Sequence, residues 1–136
     1  MSSFTSELMV TPTNDGKFWI VTRPFTYRIG SKFSNQIIRV KRGTLTDFAS
    51  IPKLIRLFMP EWAKFNKAPV LHDVLYREQM IMSESISRKR ADDVFLEAML
   101  ISFSPHKIGG FIAYLEYIGV RLFARRAWEN YKRKTE

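Results

Sequence analysis

A chain of 136 residues with 46% hydrophobic and 26% charged side chains has the size of one domain and enough apolar bulk to build a core, which excludes a disordered or fibrous protein. It contains no cysteine, so a disulfide framework, a thiol nucleophile and every Cys-ligated zinc or iron-sulfur centre are excluded. Twenty-two Lys and Arg against 13 Asp and Glu give +9 at neutral pH, a charge that favours nucleic acid, anionic membrane or an acidic protein without choosing among them.

The charge is uneven: residues 1–68 hold eleven basic and four acidic side chains, residues 69–136 eleven and nine. The opening residues lack a basic segment followed by an apolar one, so no secretory leader is expected. Residues 17–22, 25–29 and 36–41 are short runs rich in aromatic and β-branched residues, separated by breakers, and predict a small antiparallel sheet. Asn14-Asp15-Gly16 signals a turn before the first run, and Gly43 follows the third. Strand alternation sets Arg39 and Lys41 on the face opposite Ile38 and Val40, which reads as a solvated surface or as a phosphate-binding one.

Residues 44–68 read as an irregular or briefly helical bridge with Pro52 and Pro60. Phe48, Ile51, Leu54, Leu57 and Phe58 are apolar enough that this bridge is expected to pack down, carrying its isolated carboxylate, Asp47, toward a protected cleft. Trp62 and Phe65, beside Lys64 and Lys67, read as loop packing or as a stacking surface for a nucleobase. Ser50 lies in no nucleophile-elbow motif.

The second half reads as helices, so the predicted fold class is α+β: an N-terminal antiparallel sheet and a mainly helical C-terminal half in a single domain over 1–136, with flexible ends. Pro69 suits a first helical turn, and Val70 to about Met80 continue it. Ser87 is placed to cap a helix starting near Arg88, with Val94, Phe95, Ala98 and Met99 at apolar spacing. A third helix is predicted over about 105–128, and 131–136 as a frayed basic tail. Residues 108–124 are the most membrane-like stretch, but Glu116 and Arg121 interrupt them and a span needs about 20 apolar residues. They read as a largely buried helix, with an interfacial helix as the alternative.

The sharpest chemistry is Leu71-His72-Asp73-Val74-Leu75-Tyr76, followed on the next predicted helix by Arg90-Ala91-Asp92 and Phe95. His72 and Tyr76 are four apart and share a helix face, while Asp73 projects from the adjoining side. Imidazole titrates near neutral pH and suits His72 to proton transfer; Asp73 suits a hard divalent cation. An antiparallel second helix would bring Asp92 to the non-reacting nitrogen of His72 and fix its tautomer. A hydrogen-bonded structural network accounts for the same residues. Asp47 with His72, Asp73 and Asp92 would complete a mixed nitrogen and oxygen metal centre, and His106 reads either as a further ligand or as a solvent-facing helix start.

Two resemblances follow from these residues. Gly43-Thr-Leu-Thr-Asp-Phe-Ala-Ser-Ile-Pro52, Ala68-Pro-Val-Leu-His-Asp-Val-Leu-Tyr76, Arg90-Ala-Asp92 with Phe95 and Met99, and Gly119-Val-Arg121, in this order over roughly 18–128, resemble a family of small phage and prophage proteins of unknown function. That resemblance implies expression in a bacterial host cytoplasm, virion association, and a phage or host protein as partner. Locally, over about 68–96, His72-Asp73 with Tyr76 and Ala91-Asp92 with Phe95 resembles the catalytic helix pair of phospholipase A2-like proteins. It implies that His72 activates water, Asp73 binds calcium, and Tyr76 and Asp92 support the histidine. The Gly-rich calcium loop of those proteins has no counterpart here. Three functions are therefore expected: a noncatalytic accessory role in assembly, tail function or host interaction; hydrolysis of a lipid or other ester with Ca2+ or another divalent cation; and binding of nucleic acid through the basic first half.

Overall fold

The computed structural model describes residues 3–5, 7–46 and 57–135, whose backbone falls into two compact units divided after residue 47. The first is built of strands. Short alternating runs with turn residues between them favour antiparallel pairing, and β1 (Ser3–Phe4), β4 (Phe25–Arg28) and β5 (Ile37–Val40) form one three-stranded antiparallel sheet in the order β1-β4-β5. The register sets Phe25 opposite Val40 and Tyr27 opposite Ile38, and all four are buried. Phe4 packs on both aromatic rings, at 5.8 Å from Phe25 and 4.7 Å from Tyr27. The second sheet runs β2 (Val10–Pro12), β3 (Trp19–Val21), β6 (Leu45–Thr46). Its β2–β3 turn holds Gly16 at φ +72, where a side chain is disfavoured.

The α+β class stands as expected, but the strand half holds two small sheets rather than one. Strands β1, β2 and β6 are two or three residues long and carry Ser, Thr and Pro, so no alternating run marks them in the sequence. Arg39 is exposed between buried Ile38 and Val40, as alternation requires, and Lys41 is exposed just beyond the strand.

The second unit is helical: α1 (Glu61–Lys64), α2 (Lys67–Glu78), α3 (Arg88–Ser102), α4 (Gly109–Phe123) and α5 (Arg125–Thr135), with a small hairpin of β7 (Met80–Ile81) and β8 (Glu84–Ser85) between α2 and α3. The Asn66 side chain accepts from the Ala68 amide to cap α2, Pro69 sits in its first turn, and Gln79 closes it in the left-handed region at φ 55. Ser87 caps α3 as predicted, accepting from the Arg90 amide. The core of this unit is Val70, Leu71, Leu75, Ala91, Val94, Phe95, Ala98, Met99, Phe103, Ala113 and Val120.

Three expectations are corrected. The third helix opens at Gly109 and ends at Phe123, and the chain continues after Ala124 as α5, so the basic tail is helical through Thr135. Residues 108–124 are buried on one face only: Phe111 is 71% exposed and Leu122 68%. Leu57 and Phe58 are 74% and 83% exposed rather than packed down; Phe48, Ser50, Ile51, Leu54 and Asp47 lie outside the described residues.

Candidate functional site

Helix α2 projects His72 and Tyr76 from one face because they are one helical turn apart, and α3 brings Asp92 to both. His72 Nε2 lies 2.7 Å from Asp92 Oδ1, and the Tyr76 hydroxyl donates to the same oxygen at 2.7 Å. The other carboxylate oxygen accepts from Arg121 Nη1 of α4 at 2.8 Å and, more weakly, from Arg88 Nη1 of α3 at 3.5 Å. Arg88 also donates to the Val120 and Arg121 carbonyls at 3.1 and 3.3 Å, closing the last turn of α4. One buried carboxylate thus ties three helices together.

The electrostatics follow from burial and partners. Burial works to raise the Asp92 pKa, but hydrogen bonds from His72, Tyr76 and Arg121 outweigh it and hold this carboxyl below its ordinary range. Burial, then the bond to Asp92, pushes the Tyr76 phenol well above its ordinary value, so it remains a donor. Because Asp92 is ionised and can only accept, Nε2 of His72 carries a proton, and in the neutral ring Nδ1 keeps the free lone pair. The imidazole is stacked on Phe95 with centroids 4.3 Å apart and packed at 4.2 Å on Tyr76. Its residue is 1% exposed. The arrangement can therefore hold one tautomer and one ring orientation in a protected environment.

The structure brings His72, Tyr76 and Asp92 together as the sequence predicts, with Asp92 on a single imidazole nitrogen. Asp73 is half-buried on the next position of α2 and belongs to no group of three or more His, Asp or Glu able to hold a metal ion; none occurs among the described residues. Asp47, the other expected ligand, is outside them. His106 is exposed and stacked on Trp62 at 3.8 Å and 3°, and Trp62 in turn meets Phe103 edge-on at 5.1 Å. Trp62 is thus part of the packing of the helical unit.

Sequence reasoning missed Arg88 and Arg121 as partners of Asp92. A signal existed for each: Arg88 lies one helical turn before Asp92, and Arg121 closes the distal Gly119-Val-Arg121 stretch. It also missed Glu116, which is fully buried with neither carboxylate oxygen hydrogen-bonded among the described residues. Burial alone pushes its pKa up to about 8, so it is mostly protonated at neutral pH. In the strand unit, Arg39 and Lys41 line an open cleft of about 330 Å³ with Thr5, Pro24, Phe25 and Thr26.

A family model described as a protein of unknown function, DUF1353, matches residues 19–120, three quarters of the chain and nearly the range over which its motifs resemble the phage and prophage family. The chain belongs to the DUF1353 family. No curated protein and no solved structure matches it. The DUF1353 match takes in the strands from β3 onward and the whole His72, Tyr76 and Asp92 network, but ends one residue before Arg121.

Proposed function

We propose that this DUF1353 protein is a phage or prophage accessory protein, made in the bacterial host cytoplasm, and that its helical unit hydrolyses an ester with His72 as general base. The family match supports the setting, and its reach across both units supports their working as one domain. The observation that carries the chemistry is the 2.7 Å contact of Asp92 with Nε2 of His72, reinforced by Tyr76 on the same oxygen. That is the support expected from the phospholipase A2-like resemblance, and it leaves Nδ1 as the basic nitrogen. In the proposed step, Nδ1 takes a proton from water as the water oxygen bonds to the ester carbonyl carbon. The tetrahedral adduct then expels the alcohol oxygen, which receives that proton from the imidazolium. Asp92 offsets the positive charge that forms on the ring.

Among the described residues Asp73 belongs to no group of three or more His, Asp or Glu able to hold a metal ion, and Asp47 lies outside them. Calcium or another divalent cation is therefore an arm of the test rather than part of the step. Hydrolysis should be measured on phospholipid and small-ester substrates with Ca2+, with Mg2+ and with chelator, for the parent, His72→Gln and Asp73→Asn. Loss of a positioned base lowers the rate roughly 10²- to 10⁴-fold, and Asp73→Asn should lose cation dependence if that carboxylate is a ligand. Equal turnover by parent and His72→Gln, both shown folded, would remove the mechanism.

One observation favours a noncatalytic accessory role instead: Arg88 and Arg121 saturate Asp92 and fasten α3 to α4, as a structural clamp requires. A parent inactive on every substrate class favours that role, with a phage or host protein as partner. A third reading belongs to the strand unit, where Arg39 and Lys41 beside an open cleft fit a phosphate backbone. Reversing both charges should weaken binding to unrelated DNA and RNA alike and flatten its salt dependence, by fluorescence titration at several salt concentrations. A parent that binds neither at low salt sinks it.

A further inference from the structure

Helix α4 has two unlike faces. Gly109, Ile112, Ala113, Glu116, Gly119 and Val120 are buried, whereas Phe111, Tyr114, Leu115, Ile118 and Leu122 are 71%, 52%, 37%, 53% and 68% exposed. At 3.6 residues per turn these five side chains fall within an arc of roughly 100°, a continuous apolar stripe along the whole helix. Large contiguous apolar patches are rare on soluble surfaces and mark interaction sites.

The ends of the stripe carry one sign of charge. Between residues 104 and 128 the only acidic side chain is Glu116, which is buried, whereas Lys107 precedes the helix and Arg125 and Arg126 follow it, all three exposed. The geometry points to the outer face of α4 as a docking surface for an anionic phospholipid bilayer, with the helix lying in the plane of the headgroups. An apolar stripe with basic residues at both ends meets acyl chains and anionic headgroups together. A helix of 15 residues is about 22 Å long, too short for the roughly 30 Å hydrocarbon core, and no helix among the described residues is long and apolar enough to cross a membrane. A second copy of the chain is a poorer occupant, because it would set like basic ends together on molecules of charge +9. The surface names a substrate class for the hydrolase reading, but it rests on its own observations, and binding is measured without turnover.

Flotation of the full chain with vesicles of phosphatidylcholine and phosphatidylglycerol, and with phosphatidylcholine alone, tests it. Binding is expected to the anionic vesicles, falling as salt rises. Neutralising Arg125 and Arg126 as Arg125→Gln with Arg126→Gln should weaken it roughly 25-fold, at about fivefold per cation near an anionic surface. Phe111→Ser with Leu122→Ser should abolish it at exposed positions where folding, followed by circular dichroism, is retained. Binding is read separately from turnover, so a parent that binds anionic vesicles but hydrolyses no ester condemns only the hydrolase reading. No binding of the parent to anionic vesicles at low salt, or undiminished binding by both surface variants, overturns the surface. So does a dimer, seen by sedimentation equilibrium without lipid, that the apolar substitutions dissolve.

Discussion

Tyr76 shows how much of this protein turns on single polar atoms. Its ring is fixed by His72 at 4.2 Å and by Trp128 edge-on at 5.1 Å, so Tyr76→Phe keeps the packing and removes only the bond to Asp92. A buried hydrogen bond to a charged group contributes about 1.5–3 kcal/mol, and urea unfolding of the variant should register a loss of that size. A change below about 0.5 kcal/mol would mean that the hydroxyl does not support the network. That Tyr76 and His72 share a partner was legible from their spacing of one helical turn and from the need of a buried phenol for an acceptor. The two arginines were less legible: Arg88 lies one helical turn before Asp92, but nothing in the spacing brings Arg121 to the same carboxylate until α3 and α4 run antiparallel.

At the scale of elements, capping chemistry was the most legible signal and helix ends without it the least. Ser87 and Pro69 placed α3 and α2 closely, whereas Ser104-Pro105 suggested a start that the chain delays to Gly109. The reason lies in the turn after α3. The Phe103 carbonyl accepts from the His106 amide, the His106 carbonyl accepts from the Gly109 amide, and Gly109 is packed so closely that an added Cβ would lie 2.1 Å from the Phe103 oxygen. Backbone cannot yield there, so Gly109→Ala should cost about 1–3 kcal/mol or more by overpacking. Gly110→Ala meets nothing within 4 Å and should stabilise by up to about 1 kcal/mol through its gain in helix propensity. Thermal melts of the two variants should move in opposite directions; equal shifts would contradict the close packing. The break at Ala124 gave no signal of this kind, since neither Gly nor Pro marks it. The short polar strands β1, β2 and β6 were hidden because pairing, not composition, defines them.

For the molecule as a whole, buried carboxyls set opposing pH dependences. Asp92 has its pKa lowered from 3.8 by partners that outweigh its burial, so the unfolded chain binds its proton first as pH falls. Its contribution is complete above about 3.8 and is lost as pH drops through the folded value. Glu116 acts in the other sense. Burial raises its pKa from 4.5 to about 8, so between these values the unfolded chain releases a proton that the folded chain keeps, and stability falls as pH rises across that window, levelling off above it. For these two groups the optimum lies near pH 4, between their unfolded values of 3.8 and 4.5, since Asp92 loses its contribution below that range and Glu116 loses its own above it. The loss from Glu116 across the window should be on the order of 3–5 kcal/mol, since a tenfold change in proton affinity corresponds to about 1.4 kcal/mol. Glu116→Met, similar in volume and without a charge to desolvate, should raise stability at pH 8 and flatten the profile above pH 5 while leaving the acid limb from Asp92 in place. Denaturant unfolding of parent and variant from pH 3 to 9 measures both limbs. A parent profile that stays level from pH 5 to 8, or a variant that keeps the parent's slope there, would show that Glu116 does not carry this dependence.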